Sequence, residues 1–267
     1  MIPILKDILE LLEEVAPSHL AEPWDNPGLQ VGSHSQKIGK IFAALDATPE
    51  SLQAAHMRGA RLLLTHHPLI FRPLSRVDSD GFPGNTILEA GKRGIAVVAA
   101  HTNLDAAAGG INDILADLLG LKSVEVLQET EGFEGAGLGR IGNLKESCAL
   151  QEFSETVKHV LDVDKLRIVG TTDRKIRRIA VVGGSGASLI SLASQKGADV
   201  LLTGDVGYHN AMEARLLGIA LVDGGHFPTE KAAFTVFAKR FGEMIRAGGW
   251  ECPVEVDEEE RDPASFS

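Results

Sequence analysis

The sequence predicts an α/β protein built as two similar α/β halves, with a metal site in the cleft between them. Three observations carry that expectation. Short apolar strand-like runs alternate with amphipathic helical stretches, the pattern of mainly parallel sheets. The first half is echoed in the second: Lys37-Ile38, Ile41, Gly59-Ala60 and Leu63-Leu64-Thr65 recur 138 residues later as Lys175-Ile176, Ile179, Gly197-Ala198 and Leu201-Leu202-Thr203. Finally, clusters of His, Asp and Glu follow the buried runs, at the strand ends where α/β proteins bind ligands.

The elements follow in order. Ile4, Leu5, Ile8, Leu11, Leu12 and Val15 mark an amphipathic helix stopped by Pro17. A loop dense in turn-formers runs from Glu22 to Gly32 and contains Trp24 and Asp25, which read as packed loop residues or as pocket lining. Lys40–Leu45 is strand-like, and Asp46-Ala47-Thr48-Pro49-Glu50-Ser51 supplies cap residues for a helix over Ser51–Arg58 that ends at Gly59. Ala60–Thr65 is a strand leading into His66-His67-Pro68. After a Pro- and Gly-rich loop and a helix near Thr86–Lys92, the buried strand Gly94–Ala100 delivers His101, Asn103 and Asp105. Ile111, Ile114, Leu115, Leu118 and Leu119 mark a further helix. Gly218–Val222 echoes Gly94–Val98 and delivers Asp223-Gly224-Gly225-His226. The expected organisation is a first half over 1–124, a looser Gly-rich connection over 125–173, a second half over 174–250 and a solvated, disordered acidic tail over 251–267.

Composition narrows the function classes. Of 267 residues, 44% are hydrophobic and 24% charged, which suits a soluble globular chain, and no apolar run approaches a membrane span. The start Met1-Ile2-Pro3-Ile4-Leu5-Lys6-Asp7 lacks the pattern of a signal peptide, and Cys148 and Cys252 have no metal-like spacing, so a reduced cytoplasmic chain is expected. The formal net charge is −11, of which the segment from Glu251 onward carries −6. No basic stripe of a nucleic-acid binder is present.

The chemistry-bearing residues are His66 and His67, His101 with Asp105, and His226 with Glu230. Singly, each has an ordinary explanation: a histidine pair bonded to backbone at a loop, a helix-capping Asp105, a capping-box Glu230. Together they form a set of imidazoles and carboxylates that suits divalent Zn, Mn, Fe, Co or Ni and has more donors than one ion needs. His226 is expected just before a helix starting near Pro228, with Glu230 in its first turn. Tyr208 and His209 follow Thr203-Gly204-Asp205, the counterpart of the His66–His67 turn, and are weaker candidates together with Asp205. Gly183-Gly184-Ser185-Gly186 reads as a tight turn rather than a phosphate loop. His19, His34, His56 and His159 read as surface or packing residues.

These residues carry a resemblance. Trp24-Asp25-Asn26-Pro27-Gly28-Leu29, Leu64-Thr65-His66-His67-Pro68, His101-Thr102-Asn103-Leu104-Asp105, Thr203-Gly204-Asp205 with Tyr208-His209, and Gly225-His226-Phe227-Pro228-Thr229-Glu230 resemble the signatures of the Nif-three-like dinuclear metal-binding family, whose members carry the name GTP cyclohydrolase 1 type 2. The match runs in the family's order through nearly the whole chain and leaves out the acidic tail. The resemblance implies His66, His67, Asp105, His226 and Glu230 as ligands of two divalent metal ions per chain, two α/β halves and a ring-shaped homohexamer. Some members carry a domain inserted between the halves, for which this chain has no room. It further implies a hydrolase that opens the purine ring of GTP at C8 with a metal-bound hydroxide, His101 or His209 moving protons. A metal-binding regulator or scaffold without turnover, or a phosphoester hydrolase at the same ions, are the alternative readings.

Overall fold

The computed structural model describes residues 1–264. Two sheets carry the fold. The first has five strands, β1 (Gly28–Val31), β2 (Ile41–Ala44), β3 (Leu62–Thr65), β4 (Ala96–Ala99) and β11 (Val254–Val256), in the order β1-β4-β3-β2-β11. The second has six, β5 (Lys122–Thr130), β6 (Phe133–Ala149), β7 (Arg167–Val169), β8 (Lys175–Ser185), β9 (Val200–Gly204) and β10 (Ala220–Asp223), in the order β5-β6-β8-β9-β10-β7. The helices are α1 (Leu5–Val15), α2 (Pro49–Met57), α3 (Gly84–Arg93), α4 (Thr102–Ala106), α5 (Ile111–Leu118), α6 (Leu150–Leu161), α7 (Ile190–Gln195), α8 (Tyr208–Leu217) and α9 (His226–Ala247).

The sequence echo is a structural one. In the first sheet Ile41 pairs with Leu62 and Leu62 with Ala96; in the second, Ile179 pairs with Val200 and Val200 with Ala220, all in parallel. Each edge repeats as well. Val31 of β1 lies antiparallel opposite Val97, and Val169 of β7, 138 residues on, opposite Leu221. The cores follow the same spacing. Phe42, Leu52, Ala55, Ala60 and Leu63 pack in one cluster, and Ala180, Ile190, Ala193, Ala198 and Leu201 in the other. The central strands are buried on both faces, which is why they read as continuous apolar runs without alternation.

Local signals set the helix ends. Thr48 accepts the Ser51 N–H at 3.1 Å while the Ser51 hydroxyl accepts the Thr48 N–H at 2.9 Å, and Pro49 occupies the first turn of α2. Both cysteines are free thiols, and Cys252 is buried. Among the described residues no helix is long and apolar enough to cross a membrane.

Two expectations need correction. Segment 125–173 is no loose connection: β5 and β6 form a long hairpin that joins the second sheet through β8, and α6 and β7 follow. Its glycines answer close packing. A Cβ on Gly137 would stand 2.0 Å from the Gln128 carbonyl oxygen, so only glycine allows the two strands of the hairpin to meet there. Nor is the stretch after Glu251 solvated and disordered. β11 adds to the sheet parallel to β2, and Glu255 pairs with Lys40 and Arg58. The last part of that tail, 265–267, lies outside the described residues. The chain accordingly divides into a unit of residues 1–104 and 234 onward, and a unit of residues 105–233, rather than at the boundaries expected from the sequence. Pairing of β11 with β2 is what draws the C-terminal segment into the first unit.

One buried cation ties the second unit together. Arg140 is 2% exposed; its guanidinium donates to both Asp113 oxygens at 2.6 and 2.9 Å and to the Gly137, Gly139 and Ala107 carbonyls. Arg140→Leu strands these acceptors, and a loss of about 3 kcal/mol is expected from urea denaturation followed by circular dichroism. Substitution of the exposed Arg72 should change stability by less than about 0.5 kcal/mol.

Candidate metal centre

In the first unit, strands β3 and β4 end side by side and deliver three imidazoles to one place. His66, His67 and His101 each offer a ring nitrogen within 4.8 Å of the others. His66 is fully buried, and its ring also lies against Phe234 at the middle of α9. Adjacent residues of a regular strand point to opposite faces, but His66 and His67 stand beyond Thr65, where the strand ends. The Thr65 hydroxyl donates to the His67 carbonyl at 2.8 Å and fixes that turn.

Each ring is held from behind through Nδ1. His66 Nδ1 lies 2.7 Å from the Ala100 carbonyl oxygen, His67 Nδ1 2.9 Å from Asp46 Oδ1, and His101 Nδ1 2.8 Å from Asp25 Oδ1. All three partners are acceptors only, so each Nδ1 carries a proton and Nε2 is the nitrogen left to ligate. Metal-binding histidines are oriented in this way, with a carbonyl or carboxylate fixing the tautomer and raising the basicity of the ligating nitrogen.

Asp25 is the most heavily used of these anchors. Its second oxygen accepts the Thr102 N–H at 3.1 Å and the Thr102 hydroxyl. Burial alone would raise its pKa, but the hydrogen bonds from His101 and Thr102 outweigh it and hold the carboxyl at about 2. The loop reading of Trp24-Asp25 therefore understates Asp25, which is a structural support of the centre. Trp24 is 57% exposed, with its ring edge-on to His101 at 6.1 Å between centroids.

In the second unit, His226 is the first residue of α9 rather than a residue before it, so Glu230 lies one helical turn along on the same face. His226 Nε2 is 3.1 Å from Glu230 Oε2, and His226 Nδ1 is 2.7 Å from Asp205 Oδ2. The hydrogen bond to Glu230 is the main cause that lifts the His226 pKa to about 9 against the opposing effect of burial, with Asp205 adding to it. Here too a carboxylate stands behind Nδ1 and Nε2 faces a second donor. Glu230 is 4% exposed and occupies space that only a glycine leaves open: a Cβ on Gly184 would lie 2.1 Å from Glu230 Oε1 and 3.2 Å from His226 Nε2.

The Gly183–Gly186 turn points its amides inward. Gly183, Gly184 and Gly186 donate to Asn112, Thr229 and Thr203, as befits a tight turn. Asp105 lies in α4, half-buried, and its carbonyl accepts from Asn112 at 3.0 Å. Tyr208 and His209 open α8 with their rings edge to face. His19, His34, His56 and His159 are all exposed.

Asp46 and Gly184 are the residues that sequence reading passes over. Asp46 reads as part of a helix-cap cluster, yet it directly follows a buried strand, as His66 and His101 do, and that position is the signal. The donor set suits borderline divalent cations: imidazoles anchored at Nδ1, two carboxylates near a histidine, and space reserved beside Glu230.

The Gly184→Ala protein is expected to fold but to bind metal poorly. Gly184 has φ +62°, so the substitution costs about 1–2 kcal/mol in backbone strain and also displaces the Glu230 carboxylate. Isothermal titration with Zn²⁺ should show at least about 10-fold weaker binding, the range for disturbing the surroundings of a ligand. Undiminished affinity would mean that Glu230 is not needed where it stands.

Comparison with known proteins agrees in both sequence and fold. The family model Duf34/NIF3 (NGG1p interacting factor 3) matches residues 3–263. The GTP cyclohydrolase 1 type 2 homolog of Clostridium acetobutylicum is 33% identical over 98% of both chains. A Helicobacter pylori protein named GTP cyclohydrolase 1 type 2 is 33% identical over 95% of this chain and 99% of its own. The crystal structure of a Bacillus cereus protein related to NIF3 superposes with a TM-score of 0.93 at 30% identity, covering 100% of this chain and 99% of that one. With its sequence matched from end to end and its fold shared with a solved member, the chain belongs to the Duf34/NIF3 family.

Proposed function

We propose that the protein is a hydrolase dependent on two divalent metal ions, held by His66, His67, Asp105, His226 and Glu230, with His101 as a further donor. The observation that carries this reading is the common presentation of the four histidines, each with an oxygen at Nδ1 that leaves Nε2 to face another donor. Bound divalent ions supply Lewis acidity, polarising a substrate and acidifying water near neutral pH.

The residues around the ions have separate roles. Asp25, Asp46 and Asp205 hold the rings in the ligating tautomer. Glu230, nearly excluded from water beside His226, is placed as a ligand carboxylate. His101, expected to carry protons, is better suited to ligation, since its Nδ1 is committed to Asp25. His209, the other expected proton carrier, opens α8 with its ring against Tyr208.

The names of the relatives point to GTP as the first substrate to test. Hydrolysis at C8 opens the five-membered ring of the purine to a formamide, and a second hydrolysis releases formate. A ring-shaped homohexamer is part of the same reading, checked by light scattering. Cytoplasmic residence remains the expectation from composition.

The test begins with metal analysis of protein purified without chelators. Wild type should hold about two ions per chain, and Glu230→Ala and His66→Ala should fold but lose at least one of them. GTP ring-opening, followed by ultraviolet absorbance and formate release, should fall by more than about 100-fold in both variants, since even residues behind the ligands matter by 10–100-fold. Metal binding without turnover of GTP or a phosphoester would favour the regulatory reading. A wild type that takes up no Zn²⁺ or Mn²⁺ on reconstitution would end the hydrolase proposal.

A further inference from the structure

We infer that Glu260, in the acidic C-terminal segment, is a positioning residue that reaches the metal centre through Asp46 and His67. This rests on His67 being a ligand, as proposed above. After β11 the chain continues the sheet: the Asp257 N–H donates to the Ala43 carbonyl at 2.8 Å. Asp257 Oδ1 then accepts the N–H groups of Glu259 and Glu260 at 3.0 and 3.1 Å and turns the chain back over the end of β2. That turn brings the Glu260 carboxylate onto two consecutive amides, with Oε2 accepting the Leu45 N–H and Oε1 the Asp46 N–H, both at 2.9 Å.

These two residues are the ones that hold His67. The Leu45 carbonyl accepts the His67 N–H at 2.9 Å, and Asp46 Oδ1 lies 2.9 Å from His67 Nδ1. Leu45 is fully buried, so water does not readily replace the carboxylate at its amide. A bidentate carboxylate across two amides fixes the peptide between them, and with it the point from which the Asp46 side chain departs. The chain of contacts runs from Glu260 to the Leu45–Asp46 peptide, to the Asp46 carboxylate, to the His67 ring, with every link in the first unit. Glu255, earlier in the tail, acts elsewhere, pairing with Lys40 and Arg58 at the other end of β2, away from His67.

The test compares full-length wild type with Glu260→Ala, Asp46→Ala, the double variant and Glu255→Ala. Co²⁺ is the probe, because its visible spectrum reports both affinity and ligand geometry. Asp46→Ala should weaken Co²⁺ binding by about 10–100-fold, and Glu260→Ala by about 10-fold with a changed spectrum. In the Asp46→Ala background, Glu260→Ala should add little further loss, while Glu255→Ala should bind as wild type. A metal-independent measurement accompanies these: imidazole ¹⁵N shifts should place His67 in the Nδ1–H tautomer in metal-free wild type and in a mixture in Glu260→Ala. A lowered melting temperature with unchanged Co²⁺ spectrum and His67 tautomer would make the tail a structural clasp only and overturn the inference. Wild type that binds no Co²⁺ would overturn the metal reading, and the His67 shifts would still decide whether Glu260 sets that ring.

Discussion

An imidazole can give a metal only one nitrogen, so the other must be held if the ring is to stay aimed. That constraint organises both units. Asp46 behind His67, Asp25 behind His101, the Ala100 carbonyl behind His66 and Asp205 behind His226 all meet Nδ1 between 2.7 and 2.9 Å. Three of these anchors sit just past the end of a strand, and Asp25 sits in the loop before β1. The parallel sheets thus contribute more than a core: their ends form a row of backbone positions whose spacing is fixed by ladder hydrogen bonds. The polar side chains inherit that precision.

Much of the fold is legible in the sequence because both of its signals are local. Buried parallel strands show as apolar runs, helices as capped stretches with apolar spacing, and the duplication as matched residues at an offset of 138 over the first strands and 124 at β4 and β10. The echo holds to the residue in the ladder register of the central strands and in the spacing of the two cores. What is not legible depends on partners distant in the chain. The hairpin of β5 and β6 looks loose because glycines that permit close strand contact cannot be told, in a sequence, from glycines that permit turns. The tail looks solvated because its acids outnumber its bases. Their partners are Lys40, Arg58 and two backbone amides, none of which announces itself from the far end of the chain.

The candidate site shows the same division. Histidines and acids placed after buried strands stand out. Asp25 does not, and Asp46 is marked only by its place after β2, since a carboxylate that orients a ring looks in sequence like any cap or turn residue. The Gly183–Gly186 turn is legible as a tight turn, but nothing in the sequence reveals that the missing side chain of Gly184 is the room in which Glu230 sits.

The duplication explains why these less visible residues lie where they do. His67 of the first half corresponds to Asp205 of the second, and Asp46 to Gly184, at the common offset of 138. In the first half the end of β3 supplies an imidazole, and the end of β2 supplies the carboxylate behind it. In the second half the end of β9 supplies the carboxylate, and the imidazole comes from the start of α9. The pair survives with its roles exchanged. At the Asp46 position the second half has no side chain at all, yet a carboxylate still stands there, delivered by Glu230 from one turn along α9. A single α/β half that places two polar groups at adjacent strand ends can therefore diverge into two unlike polar sets while keeping its strand register. The two sets need only exchange which element brings the ring and which brings the charge.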